Sequence, residues 1–196
     1  MSRIGNLPVA VPDNVKVTLR DQSIQISGPL GPLEQTFDSR LRVTFLEDKR
    51  QLRVERADDD RETKALHGLT RNLIVNMIVG VTQGYSKSLQ VVGVGYSAKV
   101  QGDELVLQLG YINPVHVRVP DGVKVDPPET GNLLILGVGS VPCVTVRIRS
   151  TDKQKVGHFA ASVRRLRPPE PYKGKGIRFV GEEIRRKAGK AFATQE

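Results

Sequence analysis

The chain of 196 residues is long enough for one or two domains, and 38% hydrophobic residues can give each a core. No apolar run approaches the roughly 20 residues of a membrane span, and the N-terminus lacks the apolar stretch of a secretory signal. A single cysteine, Cys143, excludes an internal disulfide and fits a reducing compartment. These features predict a soluble cytoplasmic protein with no membrane partner.

Basic residues are concentrated near the C-terminus. The formal net charge is +9, and residues 150–196 hold 12 basic against 5 acidic side chains. Residues 1–84 hold 12 basic against 11 acidic side chains, and residues 85–149 hold 6 against 5. A nearly neutral body with a basic end is typical of a scaffold that presents one polyanion-binding region.

The first half predicts strands followed by one helix. Alternating polar and apolar residues predict strands that begin at Val15, Ser23, Leu41 and Gln51. Asp59 is the predicted N-cap of the helix, with Glu62 as its capping-box partner, and Gly84 is the predicted stop. The apolar stripe of this helix is predicted to comprise Leu66, Leu69, Leu73, Met77 and Val81.

The second half repeats this order. Its extended segments begin at Ser88, Glu104, Pro114, Asn132 and Cys143. A second helix is predicted with Thr151 as its cap, Gln154 at the third helical position, and an end before Pro168. Its predicted apolar stripe comprises Val156, Phe159, Ala160, Val163 and Leu166.

The repeated order predicts an α+β fold of two tandem similar domains, each a mostly antiparallel sheet packed against one helix. The predicted boundaries are residues 1–84 for the first domain and 85–168 for the second. Residues 169–196 form a predicted basic tail.

Signals of catalysis are weak. The three histidines, His67, His116 and His158, have no nucleophile or carboxylate at a catalytic spacing, and we expect them to be surface or capping residues. The glycine patterns at 93–98 and 137–142 complete no phosphate-binding motif, which favours bulges or close backbone approach. We therefore predict no enzyme activity, no cofactor and no metal.

The segment after the second helix has a composition that suits an RNA backbone. Residues 168–171 predict a stiff, extended connection that delivers Tyr172 for stacking and basic residues for phosphate neutralisation. Two glycines, Gly174 and Gly176, would let the main chain approach and donate from its N–H groups. The candidate RNA contacts are Lys153, Lys155, Arg164, Arg165, Arg167, Tyr172, Lys173, Gly174, Lys175, Gly176, Arg178, Arg185, Arg186 and Lys187, with Lys190 further along the tail.

The uninterrupted segment Pro169–Arg178, PEPYKGKGIR, resembles the C-terminal signature of the bacterial-type family of the sixth protein of the large ribosomal subunit. Supporting segments are Ser2–Gly5, His67–Arg71, Val92–Tyr96 and Asp152–Gly157, so the resemblance spans essentially the whole chain.

The resemblance implies a structural constituent of the ribosome that binds large-subunit ribosomal RNA through the C-terminal domain and tail, near the region where translation factors dock. It also implies neighbouring large-subunit ribosomal proteins as partners and a monomer within the particle, in the cytoplasm or in an organelle. Two other interpretations stay open from the residues alone. One is an enzyme for a phosphorylated substrate, and the other is a protein-interaction module whose tail only improves solubility.

Overall fold

A computed structural model of the protein describes residues 4–135 and 139–187, and for Ile135 the backbone only. The chain forms two units. The first runs to Tyr85 and also takes in Thr151–Lys153, and the second contains Ser86–Ser150 and the residues from Gln154 onwards.

The first unit contains two antiparallel sheets and one helix. Its strands are β1 (Val9–Ala10), β2 (Lys16–Arg20), β3 (Ser23–Gly28), β4 (Gly31–Thr36), β5 (Leu41–Leu46) and β6 (Gln51–Arg56). They pair in the orders β1-β6-β5 and β2-β3-β4. Helix α1 (Arg61–Thr82) packs against strands of both sheets and buries one face in a core that includes Ile24, Leu52 and Ile74.

The second unit follows the same plan, with one long strand of 12 residues, Gly139–Ser150. Its elements are β7 (Tyr85–Val92), β8 (Ser97–Gln101), β9 (Glu104–Gln108), β10 (Val115–Arg118), β11 (Val123–Val125), β12 (Glu129–Ile135), β13 (Gly139–Ser150), α2 (Lys153–Leu166) and β14 (Gly176–Phe179). One sheet has the order β10-β9-β8, and the other has the order β11-β13-β7-β14 with β12 also paired to β13. Helix α2 buries Val156, Phe159, Ala160 and Val163.

The two units correspond strand by strand, which confirms the predicted α+β fold of two similar domains. The meander β2-β3-β4 corresponds to β8-β9-β10, and β1-β6-β5 corresponds to β7-β13 with β11 and β12. In each unit the strand before the helix belongs to the other sheet, not to the meander: β6 leads directly into α1, and β13 leads directly into α2. Strand β14 pairs with the free side of β7, at a position where the first unit has no described strand on β1.

Several predicted boundaries were wrong by a few residues. The segment from Ser88 to Val100 is two strands, because the chain turns at Gly93–Tyr96. The short strand β1 and strands β4, β11 and β14 were not predicted. Helix α2 begins at Lys153, so Asp152 rather than Thr151 precedes it.

The N-cap of α1 is Asp60 and not Asp59. The Asp60 side chain accepts a hydrogen bond from the Glu62 backbone N–H at 3.3 Å. The Asp59 carboxylate is held instead by Arg56, whose Nε lies 2.7 Å from Oδ1, and the Glu62 carboxylate by Arg40 at 2.9 Å. Because Arg56 and Arg40, which lie outside the helix, hold these two carboxylates, the predicted capping box does not form.

The predictions that Leu69 is part of the buried stripe of α1 and that His67 is a surface or capping residue were both wrong. The buried face of the helix is rotated from the predicted stripe. Leu69 is 53% exposed, whereas His67 is buried. The imidazole Nε2 of His67 donates to the Val54 carbonyl at 2.9 Å, and Nδ1 accepts from Arg56 Nη1 at 3.0 Å. This histidine therefore joins α1 to β6, while His116 and His158 are exposed as predicted.

Candidate nucleic-acid interface

The segment after α2 forms a closed turn and then a strand, rather than the extended connection that its prolines predicted. We call residues 170–176 the cationic turn. The Glu170 N–H donates to the Lys175 carbonyl at 2.8 Å, and the Gly174 N–H donates to the Glu170 carbonyl at 3.1 Å. These bonds present Lys173 at the tip, exposed, with Lys175 half-buried beside it.

Gly174 and Gly176 serve the fold of the turn itself. Because the Gly174 N–H is bonded to Glu170, it cannot donate to a phosphate, and that part of the prediction was wrong. A Cβ on Gly176 would lie 2.6 Å from the Pro168 carbonyl oxygen, and its φ of +135° is one that only glycine adopts without strain. Both glycines are buried.

The chain beyond β14 returns to the cationic turn and adds further positive charge. The Lys187 N–H donates to the Pro171 carbonyl at 3.0 Å, and Arg186 donates to the Tyr172 carbonyl from Nε at 3.1 Å and also from Nη2. Arg185, Arg186 and Lys187 are all exposed. Among the described residues, neither Arg185 nor Lys187 has an ion pair with a carboxylate.

The chain after β14 is anchored to α2 through an ion pair between Arg164 and Glu182. Arg164 donates to both carboxylate oxygens of Glu182, and Glu182 Oε2 also accepts from the Phe179 N–H at 2.9 Å. The hydrogen bonds from Arg164 lower the pKa of Glu182 below its usual range. Because Arg164 has this internal partner and its side chain is only 30% exposed, its charge is used to hold the tail.

Two other predicted contacts, Arg167 and Arg178, are only partly accessible. The Arg167 guanidinium lies between two aromatic rings, with its carbon 5.4 Å from the Tyr96 centroid and 4.9 Å from the Tyr111 centroid. Arg178 lies in β14 opposite Gln90 and is half-buried, and burial lowers its pKa from the usual value.

Helix α2 separates the remaining candidates into two groups. Arg165 is exposed near its C-terminal end and has no side-chain partner among the residues the structure describes. Lys153 and Lys155 lie at the other end, about 15–20 Å away along the helix axis. There Lys153 donates to Asn76 at 3.0 Å and Lys155 donates to the Asp121 carbonyl at 3.2 Å.

The structure therefore brings one group of basic residues together and leaves a second group apart. The group at the cationic turn comprises Lys173 and Lys175 of the turn itself, Arg185, Arg186 and Lys187 of the returning chain, and Arg165 on the last turn of α2, which leads into the turn. The exposed ring of Tyr172 belongs to the same turn. Lys190 lies outside the described residues, as do Ser2 and Arg3 of the N-terminal segment.

Comparison with known proteins identifies the family. The model of the family described as Ribosomal protein L6 matches this chain twice, over residues 11–84 and 92–180. The chain belongs to the ribosomal protein L6 family. The two matches fall on the two units, as expected for a family built from a repeated domain.

Bacterial relatives of this family cover nearly the whole chain. The large ribosomal subunit protein uL6 of Carboxydothermus hydrogenoformans is 48% identical over 97% of this chain and 96% of its own length. The uL6 proteins of Dictyoglomus turgidum and of a Picosynechococcus species are each 47% identical over 97% of this chain and 98% of their own lengths.

Membership of this family identifies the chain as a structural constituent of the large ribosomal subunit, a cytoplasmic ribonucleoprotein particle in bacteria, and not an enzyme. This overturns the interpretation as an enzyme for a phosphorylated substrate. Among the described residues, no helix combines the length and apolarity needed to cross a membrane.

Sequence reasoning missed residues that hold the basic segments in place. Glu182 was not a candidate, yet it fixes the tail on α2, and Tyr96 and Tyr111 were not linked to Arg167. The available signal was weak: an isolated acidic residue within a basic tail indicates an internal partner for one of the arginines. Aromatic residues far apart in sequence carry no such signal.

Proposed function

We propose that the protein binds large-subunit ribosomal RNA through the cationic turn and the basic residues gathered around it. The single observation that carries the proposal is that the basic segment 185–187 returns to the cationic turn, which holds Lys173 and Lys175 and follows the last turn of α2 with Arg165. The group comprises Arg165, Lys173, Lys175, Arg185, Arg186 and Lys187.

The chemistry of the surface suits folded RNA. Phosphates crowd together in folded RNA, and cations fixed on a rigid scaffold reduce their repulsion while releasing condensed counterions. Sequence readout should be slight, because the A-form minor groove presents mostly backbone and 2′-hydroxyl groups to a protein. Tyr172 is an exposed residue of the turn and offers a ring on which an unpaired base can stack.

Whether each basic side chain has a carboxylate partner supports one binding surface rather than a uniformly basic unit. Arg164 has a carboxylate partner, so its charge is already compensated within the protein. Lys173, at the tip of the turn, has no such partner among the described residues. An unpaired cation on a fixed backbone loses less on binding phosphate than a cation that must first leave a carboxylate.

The proposal is tested by removing two lysines of the turn. Lys173→Ala with Lys175→Ala should weaken binding to a ribosomal RNA fragment about tenfold, since two phosphate contacts are lost. The thermal unfolding midpoint of the free protein should stay within about 2 °C, because neither side chain has a hydrogen bond or an ion pair among the described residues.

A matched control uses two exposed lysines of the same unit that lie outside the group of six, Lys99 on β8 and Lys124 on β11. Changing both to Ala lowers the net charge equally but should leave affinity within about twofold. Equal losses in the two double variants would show that net charge alone drives binding and would contradict the proposal.

We further propose that this surface lies near the region where translation factors dock, which is supported by the family resemblance of residues 169–178. A hydroxyl-radical probe attached at residue 173 of the protein in reconstituted subunits should cleave RNA close to a bound factor. Cleavage confined to RNA remote from any factor would contradict this location.

A further inference from the structure

Arg167 is a predicted RNA contact whose guanidinium is packed between aromatic rings of its own unit. Its guanidinium lies 5.4 and 4.9 Å from the ring centroids of Tyr96 and Tyr111, within the range of cation–π attraction. Its Nη1 also donates to the Leu109 carbonyl. A cation with these three partners has little capacity left for a phosphate.

The partners of Arg167 come from separate parts of the second unit. Tyr96 ends the turn after β7, and Leu109 and Tyr111 belong to the loop between β9 and β10. The Arg167 carbonyl oxygen accepts from the Ile177 N–H at 2.8 Å, where the chain leaves the cationic turn. One residue therefore contacts two loops through its side chain and the tail strand through its backbone.

The two loops also contact each other. A Cβ on Gly110 would lie 3.1 Å from the Tyr96 ring and 3.5 Å from Arg167 Nη1, so glycine permits the close approach. The Tyr111 hydroxyl donates to the Leu166 carbonyl at 3.2 Å, which joins the β9–β10 loop to the last turn of α2. These contacts form one packed joint around the guanidinium.

The joint lies directly before the cationic turn. Pro168 follows Arg167, and its carbonyl oxygen lies so close to Gly176 that no side chain fits there. Gly176 in turn pairs with Val92, the last residue of β7. Both ends of the turn are therefore fixed by residues in or next to the joint.

We infer that Arg167 is a positioning residue: it orients the cationic turn for RNA through its contacts with Tyr96, Tyr111 and Leu109, and it does not neutralise a phosphate. The inference rests on the proposed function for its RNA readout. Its geometry can be tested without RNA.

The first experiment measures hydrogen exchange in the free full-length protein. Arg167→Lys keeps the positive charge but loses the planar donor group that stacks on two rings while reaching a carbonyl. Amide exchange in residues 109–112 and at Ile177 should become at least about fivefold faster. Arg165→Lys, the matched control at a neighbouring exposed arginine, should leave both unchanged; unchanged exchange in Arg167→Lys would overturn the joint.

The second experiment measures affinity for a ribosomal RNA fragment against salt concentration, well below the unfolding temperature of each variant. Arg167→Lys and Arg167→Gln should both weaken binding about fivefold to tenfold, with the slope of log affinity against log salt unchanged. A phosphate contact would behave differently: Gln would reduce the slope by about 0.7–0.9 and Lys would restore both slope and affinity.

A third variant, Tyr111→Leu, tests whether the effect passes through the joint. In the double variant with Arg167→Lys, the loss of binding free energy should be smaller than the sum of the losses in the two single variants, because both changes open the same joint. Lower thermal stability with unchanged RNA affinity in folded Arg167→Lys would make the residue merely structural and overturn the inference. If Lys173→Ala with Lys175→Ala leaves RNA affinity unchanged while the exchange result holds, the proposed function fails and the joint stands.

Discussion

The two units share one architecture but use their arginines and lysines differently. In the first unit, three partly buried arginines are paired with carboxylates: Arg40 with Asp38 and Glu62, Arg50 with Asp13, and Arg56 with Asp59. Around the cationic turn of the second unit, Lys173, Arg185 and Lys187 have no carboxylate partner among the described residues. The excess of basic over acidic residues in 150–196, together with these cations that have no carboxylate partner, distinguishes the unit proposed to bind RNA.

The structural origin of this difference is one additional strand. Strand β14 pairs with β7, whereas β1, the equivalent strand of the first unit, carries no described strand on its free side. The addition fixes both the cationic turn before β14 and the returning basic chain after it. A repeated domain thus gains a candidate binding surface without changing its core.

The comparison predicts its largest effect at Ile177 in β14. This side chain is fully buried, so Ile177→Ala should destabilise the second unit by about 2–5 kcal/mol. Because β14 has no counterpart in the first unit, hydrogen exchange in α1 should not change. Urea unfolding followed by site-resolved exchange measures both, and equal destabilisation of the two units would show that β14 is not specific to the second.

A smaller effect is expected at the anchor of the tail. Glu182→Gln removes a carboxylate that Arg164 and the Phe179 N–H hold, and should cost roughly 1–3 kcal/mol at neutral pH. The matched control Glu183→Gln changes a neighbouring exposed carboxylate and should cost less than about 0.5 kcal/mol.

The pH dependence of this anchor has a definite sign. The folded-state pKa of Glu182 is lowered from its usual 4.5, so its stabilising contribution is complete above that value and is lost as pH falls through the folded-state pKa. The stability difference between the unchanged protein and Glu182→Gln should therefore be constant above about pH 5.5 and shrink in acid. A difference that grows on acidification would contradict the role of the ion pair.

Much of the fold could be predicted because both helices and most strands carry local signals. The stripe Val156, Phe159, Ala160 and Val163 repeats at helical spacing and is buried as predicted. Strand β14 could not be found this way, since Gly176–Phe179 is short and follows a proline-rich segment that suggests an extended tail. Its pairing with β7 is a long-range contact that periodicity does not encode.

The composition of the sequence predicted which residues are candidates for the site, but not which of them have partners within the protein. Residue types identify Arg164, Arg167 and Lys173 equally as cations, and only the structure shows that the first two have internal partners. Burial of His67 was missed for the same reason, because its partners Val54 and Arg56 belong to a strand and not to its own helix.

The smallest effect is expected at the start of α2. Lys155→Ala should change RNA affinity by less than about twofold, because this residue lies at the opposite end of the helix from the cationic turn. Arg165→Ala, near the turn, should weaken binding about threefold to fivefold. Filter binding of the two variants to the same RNA fragment makes the comparison, and equal losses would extend the interface along the whole helix.

The salt dependence of RNA binding tests the central claim most directly. If the six basic residues around the cationic turn each neutralise one phosphate, a plot of log affinity against log salt should have a slope of roughly −4 to −5. Lys173→Ala with Lys175→Ala should make that slope shallower by about 1.5, while the control pair at Lys99 and Lys124 leaves it unchanged. A flat response, or the same slope in all three proteins, would contradict RNA binding through this surface.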